Sequence, residues 1–321
     1  MKRVIYFILA SFALFSLSSC VKDGYGDEAN VTLAVSIPTA DLTKAYGDGE
    51  YADINLVVGV FDENDNEKFR RTIVMEKGEF EANLSISFVM GKKYHIVLWA
   101  QYGNAYGNPA TMPLNSITMD YSASNRENLD AFYAHVPLFE VRQDFTQNVV
   151  LHRPFAQLNF ATVPGDADES VADDYLGLPA TATVTVSSLA NTLNLFTGEA
   201  TYVDSVSKAE SAGAKVTIPA TAFPKDENGK YYTMTVENVT YEVISMNYVL
   251  VADSEAKDGK TTVDLTLQVG ELEIDVPNAY MKRNWKTNVV GELLTAEGSF
   301  KVTVEPDFDG AYDNNWNESE D

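Results

Sequence analysis

Apolar and polar side chains alternate in short runs along most of this chain. Val31, Leu33, Val35 and Ile37 alternate with Thr32, Ala34 and Ser36. Ile54, Leu56, Val58 and Val60 repeat the pattern, as do Phe80, Ala82, Leu84, Ile86 and Phe88. A strand turns successive side chains to opposite faces, so a period of two predicts strands with one face in a core. From Tyr94 to Trp99 both faces are apolar except at His95, which predicts a central strand. Further strands are expected at 145–151, 155–163, 182–187, 216–218, 231–236, 242–251, 262–269, 271–276, 285–294 and 300–304. Turn-forming residues separate them, notably Asp62 to Glu67, Asp226 to Gly229 and Asp258-Gly259. Residues 104–126, rich in Gly, Asn, Pro and Ser, read as long loops, and 128–135 as a short helix or turn. No apolar stripe of period 3.6 persists for helical length. Many short strands punctuated by turns predict an all-β chain built of sandwiches.

The N-terminus breaks this pattern. Lys2 and Arg3 precede a run from Val4 to Leu17 that is apolar apart from Ser11 and Ser16. A membrane-spanning helix needs roughly 20 apolar residues, so this run fits a secretory signal better. Leu17-Ser18-Ser19-Cys20 follows, and it resembles the bacterial lipobox: an apolar residue, two small residues and an obligatory cysteine. Residues 1–19 are therefore expected to be removed between Ser19 and Cys20, with Cys20 carrying the lipid. Cys20 is the only cysteine of the 321 residues, which excludes an intrachain disulfide, and acylation disposes of an otherwise free thiol. Each buried methylene adds about 0.8 kcal/mol of membrane affinity, so two or more acyl chains anchor stably. No later run approaches 18 apolar residues.

The length suggests two domains. The 45% hydrophobic and 11% aromatic content is enough to build cores for both. Formal net charge is -24, and without residues 1–19 it is -26, from 21 basic and 47 acidic side chains. Such a surface repels nucleic acid and anionic headgroups. The acidic stretch 165–174 marks the preferred boundary. The expected organisation is a signal at 1–19 and a lipidated propeptide with the first strand at 20–44. A sandwich over 45–163 follows, then a second over 164–312 and an acidic tail at 313–321.

Candidate chemistry is sparse. His95, His135 and His152 are far apart in sequence and lack metal-ligand spacing, so each reads as a strand or loop residue. Asp62 to Glu67 superficially resembles a calcium loop, but Glu67 stands where the sixth-position glycine belongs and Ile73 where the twelfth-position glutamate belongs. No nucleophile elbow, P-loop, dinucleotide fingerprint or zinc motif occurs. Trp99 and Trp285 lie in strand-like runs and read as core, while Trp316 lies in the polar tail. Asp204-Ser205-Val206 matches a short O-glycosylation acceptor pattern. No enzyme activity, cofactor or metal is expected.

Several features together resemble the fimbrillin-like lipoproteins of Bacteroides and relatives, the type V pilus subunits. They are the lipobox, the strand Val31 to Ile37, Thr43-Lys44-Ala45 followed by Gly47-Asp48-Gly49, the two-sandwich layout, and Tyr280 to Thr295 with its Arg283-Asn284 pair. The resemblance implies two tandem transthyretin-like β-sandwiches and assembly of surface pili by strand exchange. In that scheme a trypsin-like protease cuts behind the first strand, and a strand of the next subunit fills the groove left behind. Val31, Leu33, Val35 and Ile37 would be the exchanged strand and Lys44-Ala45 the cut bond. The family pattern has arginine where Lys44 stands, so an arginine-only protease would leave this chain uncut. Lys44 as an ordinary loop residue is the competing reading. Phe300 to Val304 either donates to the next subunit or completes the second sandwich.

The implied partners are other fimbrial subunits, self or related, outer-membrane lipid through Cys20, and a host or bacterial surface receptor. The alternative from residues alone is a surface lipoprotein that binds glycan or protein and never polymerises.

Overall fold

The computed structural model describes residues 27–38, 53–166, 178–201, 214–251, 260–295 and 299–306. Expectations for Ser19, Cys20, Lys44, Ala45, Asp204 to Val206 and Trp316 lie outside these residues.

In chain order the first strands are β1 (Glu28–Ser36), β2 (Ile54–Asp62), β3 (Glu67–Met75), β4 (Glu81–Val89) and β5 (Lys93–Tyr102). Then come β6 (Ile117–Thr118), β7 (Ala131–Glu140), β8 (Phe145–Val150) and β9 (Ala156–Thr162). The later strands are β10 (Thr181–Leu189), β11 (Thr192–Leu193), β12 (Ala200–Thr201), β13 (Ala214–Ala222) and β14 (Thr233–Val236). The last are β15 (Val239–Val249), β16 (Lys260–Val269), β17 (Leu272–Lys282), β18 (Trp285–Gly291) and β19 (Phe300–Pro306). Among the described residues the only helical turn is a 3-10 turn at Glu127–Leu129, so the chain is all-β as the alternation predicts.

Two sandwiches form. The first stacks a sheet of order β4-β1-β8 on one of order β3-β2-β5-β7. Val31, Leu33 and Val35 of β1 share its core with Leu56 and Val58 of β2 and Ile96 and Leu98 of β5. The second stacks β14-β15-β9-β18-β19 on β13-β10-β16-β17, around Phe160, Val184, Leu265, Leu267 and Val289.

A third apolar cluster explains why β5 is buried on both faces. Val57, Val97 and Trp99 point away from the first core. They pack with Met112, Leu114 and Ile117 of the 104–126 segment, with Met246 and Tyr248 of β15, and with Leu250 just after it. The glycine- and asparagine-rich stretch is thus the filling of a joint between the sandwiches, stitched by a small sheet of order β12-β11-β6. At Gly59 a side-chain carbon would come within 2.5 Å of Leu114 Cδ1 and 2.9 Å of the Phe61 ring, so a larger residue there would push these side chains of the joint aside.

Three expectations need correction. The boundary at 163/164 assigns 155–163 to the first sandwich, but β9 pairs antiparallel with β15 and parallel with β18 in the second. Its uninterrupted burial is that of a central strand, and sequence proximity to β8 says nothing about its partners. Residues 128–135 are not one short helix or turn: the 3-10 turn ends at Leu129 and β7 begins at Ala131, pairing with β5. Trp285 is half-buried rather than core, with the Lys282 ammonium 4.5 Å from its ring centroid.

Candidate functional site: the first strand and its groove

In β1, Ala29, Val31, Leu33 and Val35 point inward, and Ile37 just beyond it extends the series. Val31 and Leu33 have no exposed surface. Three of the nine residues of β1, Val31, Thr32 and Val35, are β-branched, a composition that suits a pleated, half-buried surface. The strand occupies the middle of its sheet. It runs antiparallel to β4, with Leu33 opposite Leu84, and parallel to β8, with Leu33 opposite Gln147.

Both ends are tied. The Met90 N–H donates to Asp27 O at 2.8 Å, and Ile37 N–H donates to Phe80 O at 2.9 Å. On the β8 side Leu151 N–H donates to Ser36 O at 2.9 Å, and Asn30 N–H donates to the Asp144 carboxylate at 2.7 Å. Ser87 Oγ donates to the Glu28 carboxylate at 2.9 Å. Four large inward side chains, at about 1.5–3 kcal/mol each, contribute about 6–12 kcal/mol of burial. That rivals the whole stability of a typical domain, about 5–15 kcal/mol. Without β1, the first core and one backbone ladder on each side would lie open.

At the other end of the chain, β19 is an edge strand paired only with β18. Phe300 and Val302 sit on the core-facing side yet are 40% and 38% exposed, because the facing sheet hardly reaches over them.

The histidines are not all apart. His95 of β5 and His135 of β7 share an N–H···N hydrogen bond at 3.2 Å between Nδ1 and Nε2. Asp65 Oδ1 lies 3.0 Å from His95 Nε2, at an angle too poor for a hydrogen bond. Burial, and then the neighbouring His95, hold the His135 imidazole below its ordinary value. Among the described residues no group of three or more ligating side chains could hold a metal. Asp62 to Glu67 is a hairpin turn: Asp62 Oδ1 accepts the Asn64 and Asn66 N–H groups at 2.9 and 3.0 Å. Lys68, 2.8 Å away, and these amides hold the Asp62 carboxyl far below the usual carboxylate range. Trp99 is fully buried, its indole N–H donating to Gln101 Oε1 at 2.9 Å.

No curated protein matches the sequence. The structure is similar to the tip fimbrial protein Mfa3 from Porphyromonas gingivalis with C-terminal truncation, at 13% identity and TM-score 0.46, covering 87% of this chain and 100% of that one. It is also similar to a fimbrial assembly protein from Parabacteroides distasonis, at 15% identity and TM-score 0.39, covering 87% of this chain and 98% of that one. Likenesses this distant fix no residue correspondence. A family profile matches far more directly, over residues 23–320, and on that match the chain belongs to the family of unknown function DUF6562.

Proposed function

We propose that this chain is a structural, accessory or anchor subunit of cell-surface fimbriae, made as a lipoprotein precursor and assembled by exchange of its first strand. The observation that supports this reading most is the position of β1. It is the first strand among the described residues, yet it fills the centre of its sheet and much of the first core. Lys44-Ala45 follows it in sequence, so a cut there separates β1 from the rest of its sandwich. A strand of another subunit that displaces the severed β1 from between β4 and β8 takes over its core contacts and backbone bonds, by main-chain pairing and alternate side-chain pockets. Each subunit gives to one neighbour and receives from another, so the contact is head-to-tail and propagates as a filament. The edge strand β19, with its half-exposed Phe300 and Val302, is the candidate donor. Cys20 holds the precursor at the outer membrane, and an uncut molecule stays there as an anchor.

N-terminal sequencing of protein recovered from the cell surface tests the scheme. A start at Ala45, with a detergent-resistant ladder that collapses on boiling and disappears in Lys44→Gln, is the expected result. A monomeric band that keeps residues 21–44 overturns the stalk role and leaves the anchor role. Affinity for glycan in such a monomer, lost in Trp316→Ala, would favour a non-polymerising binding lipoprotein instead.

A further inference from the structure

The chain passes from the first sandwich to the second through Leu151 to Phe155, and the side chain of Arg153 in this passage is fully buried. Its guanidinium grips the Asp130 carboxylate with both prongs, Nε to Oδ1 at 2.5 Å and Nη2 to Oδ2 at 2.7 Å. Asp130 stands at the entry to β7 in the first sandwich, and the guanidinium carbon lies 4.9 Å from the ring centroid of Phe132 in that core. The remaining prong, Nη1, donates to Asn284 Oδ1 at 2.9 Å. Asn284 belongs to the two-residue turn where the second sandwich crosses from β17 to β18, in left-handed backbone at φ 58°. Its own N–H donates to Phe155 O at 2.7 Å, and its neighbour Arg283 donates to Gly198 O at 2.8 Å.

We infer that Arg153, Asp130 and Asn284 form an orienting lock that holds the two sandwiches at one fixed angle, and that this is the task of the Arg283-Asn284 turn. The apolar joint supplies attraction, but burial is non-directional and several tilts satisfy it. A planar fork bonded to a carboxylate on one side and an amide on the other is satisfied in one geometry only. A buried ion pair typically contributes little net stability against an apolar replacement, so specification of geometry is the role left to it. The lock holds whether or not the first strand is exchanged.

Pulsed electron-spin distance measurement tests it, with labels at Glu63→Cys and Glu271→Cys, both exposed turn positions, in a Cys20→Ser background. One narrow distance peak is expected for the otherwise unaltered protein. Asn284→Gly suits the left-handed backbone and removes only the amide, and Arg153→Lys keeps the charge but loses the fork; each should broaden the peak or add a second. The double variant Asp130→Leu, Arg153→Met should recover the melting temperature lost in Arg153→Lys while its peak stays broad. A broad peak in the unaltered protein overturns the lock. Narrow peaks in Asn284→Gly and the double variant overturn it too, leaving the angle to the apolar joint; should Arg153→Lys fail to fold, these two decide.

Discussion

Leu33 has no exposed surface and faces both sheets' side chains in the first core, whereas Thr32 beside it points outward. Leu33→Ala should therefore cost about 2–5 kcal/mol, from lost burial and the cavity left behind. Thr32→Ala should stay within about 0.5 kcal/mol, as surface changes usually do. Urea unfolding of the two variants checks this, and equal effects would mean β1 is not held as described. His135 makes a second prediction at this scale. Its folded value lies below the ordinary 6.5, so the unfolded chain takes up protons first as pH falls. Stability should decline as pH drops below about 6.5 and level off once the folded imidazole also titrates. His135→Gln should flatten that part of the curve. Burial is the larger cause of this effect and the His95 neighbour the second; that pairing spans 40 positions and two strands, so spacing along the chain gave no sign of it.

Strand edges show how the elements are kept apart. β7, β13 and β17 are sheet edges, and each carries a proline, Pro137, Pro219 and Pro277, where the register shifts. Proline removes a donor and the bulge twists the edge, so neither offers a straight template for another chain. β3 is guarded differently. Arg71 shares the core-facing side with Phe69 and Ile73, and a charge there resists enclosure by an added strand. The same arginine hides β3 from a pattern search, since it interrupts the apolar series. Arg71→Val should leave the fold intact and raise self-association, read by sedimentation or light scattering; a variant as monomeric as the parent would remove this role. For β1 the expectation concerns a cut chain. Brief trypsin treatment should nick after Lys44 while the fragment stays bound, leaving elution in native buffer unchanged until the sample is heated in detergent. Loss of the fragment in native buffer would contradict the hold described for β1.

For the whole molecule, two cores and a shared joint make a chain that should unfold as one. Interfaces between domains permit independent motion unless they are large and apolar, and Trp99, Leu114, Phe155 and Tyr248 are all buried in this one. Calorimetry should show a single transition, and Phe155→Ala should lower it or split it in two. A single unsplit transition at the parental temperature would show the joint to be dispensable. Much of this architecture was legible beforehand: fourteen stretches of alternation or apolar run mark strands, and two-sided apolarity marks β5 as central. The joint was not, because the loop-like composition of 104–126 describes local backbone freedom and not what Met112 and Leu114 touch. The crossing of β9 to the second sandwich was hidden likewise, since partners of a central strand are chosen far along the chain.

The parallel pairing of β1 with β8 has a consequence for the order of events as the chain folds from its N-terminal side. Asn30 and Asp144, which meet across that ladder, are 114 positions apart. Closing so long a loop is entropically costly and slows formation of the contacts that reward it. β1, made early, must wait for β8 to follow before it has two neighbours. The first strand of this sandwich is thus among the last of it to settle, and for that interval a nascent chain already presents an open seat beside β4.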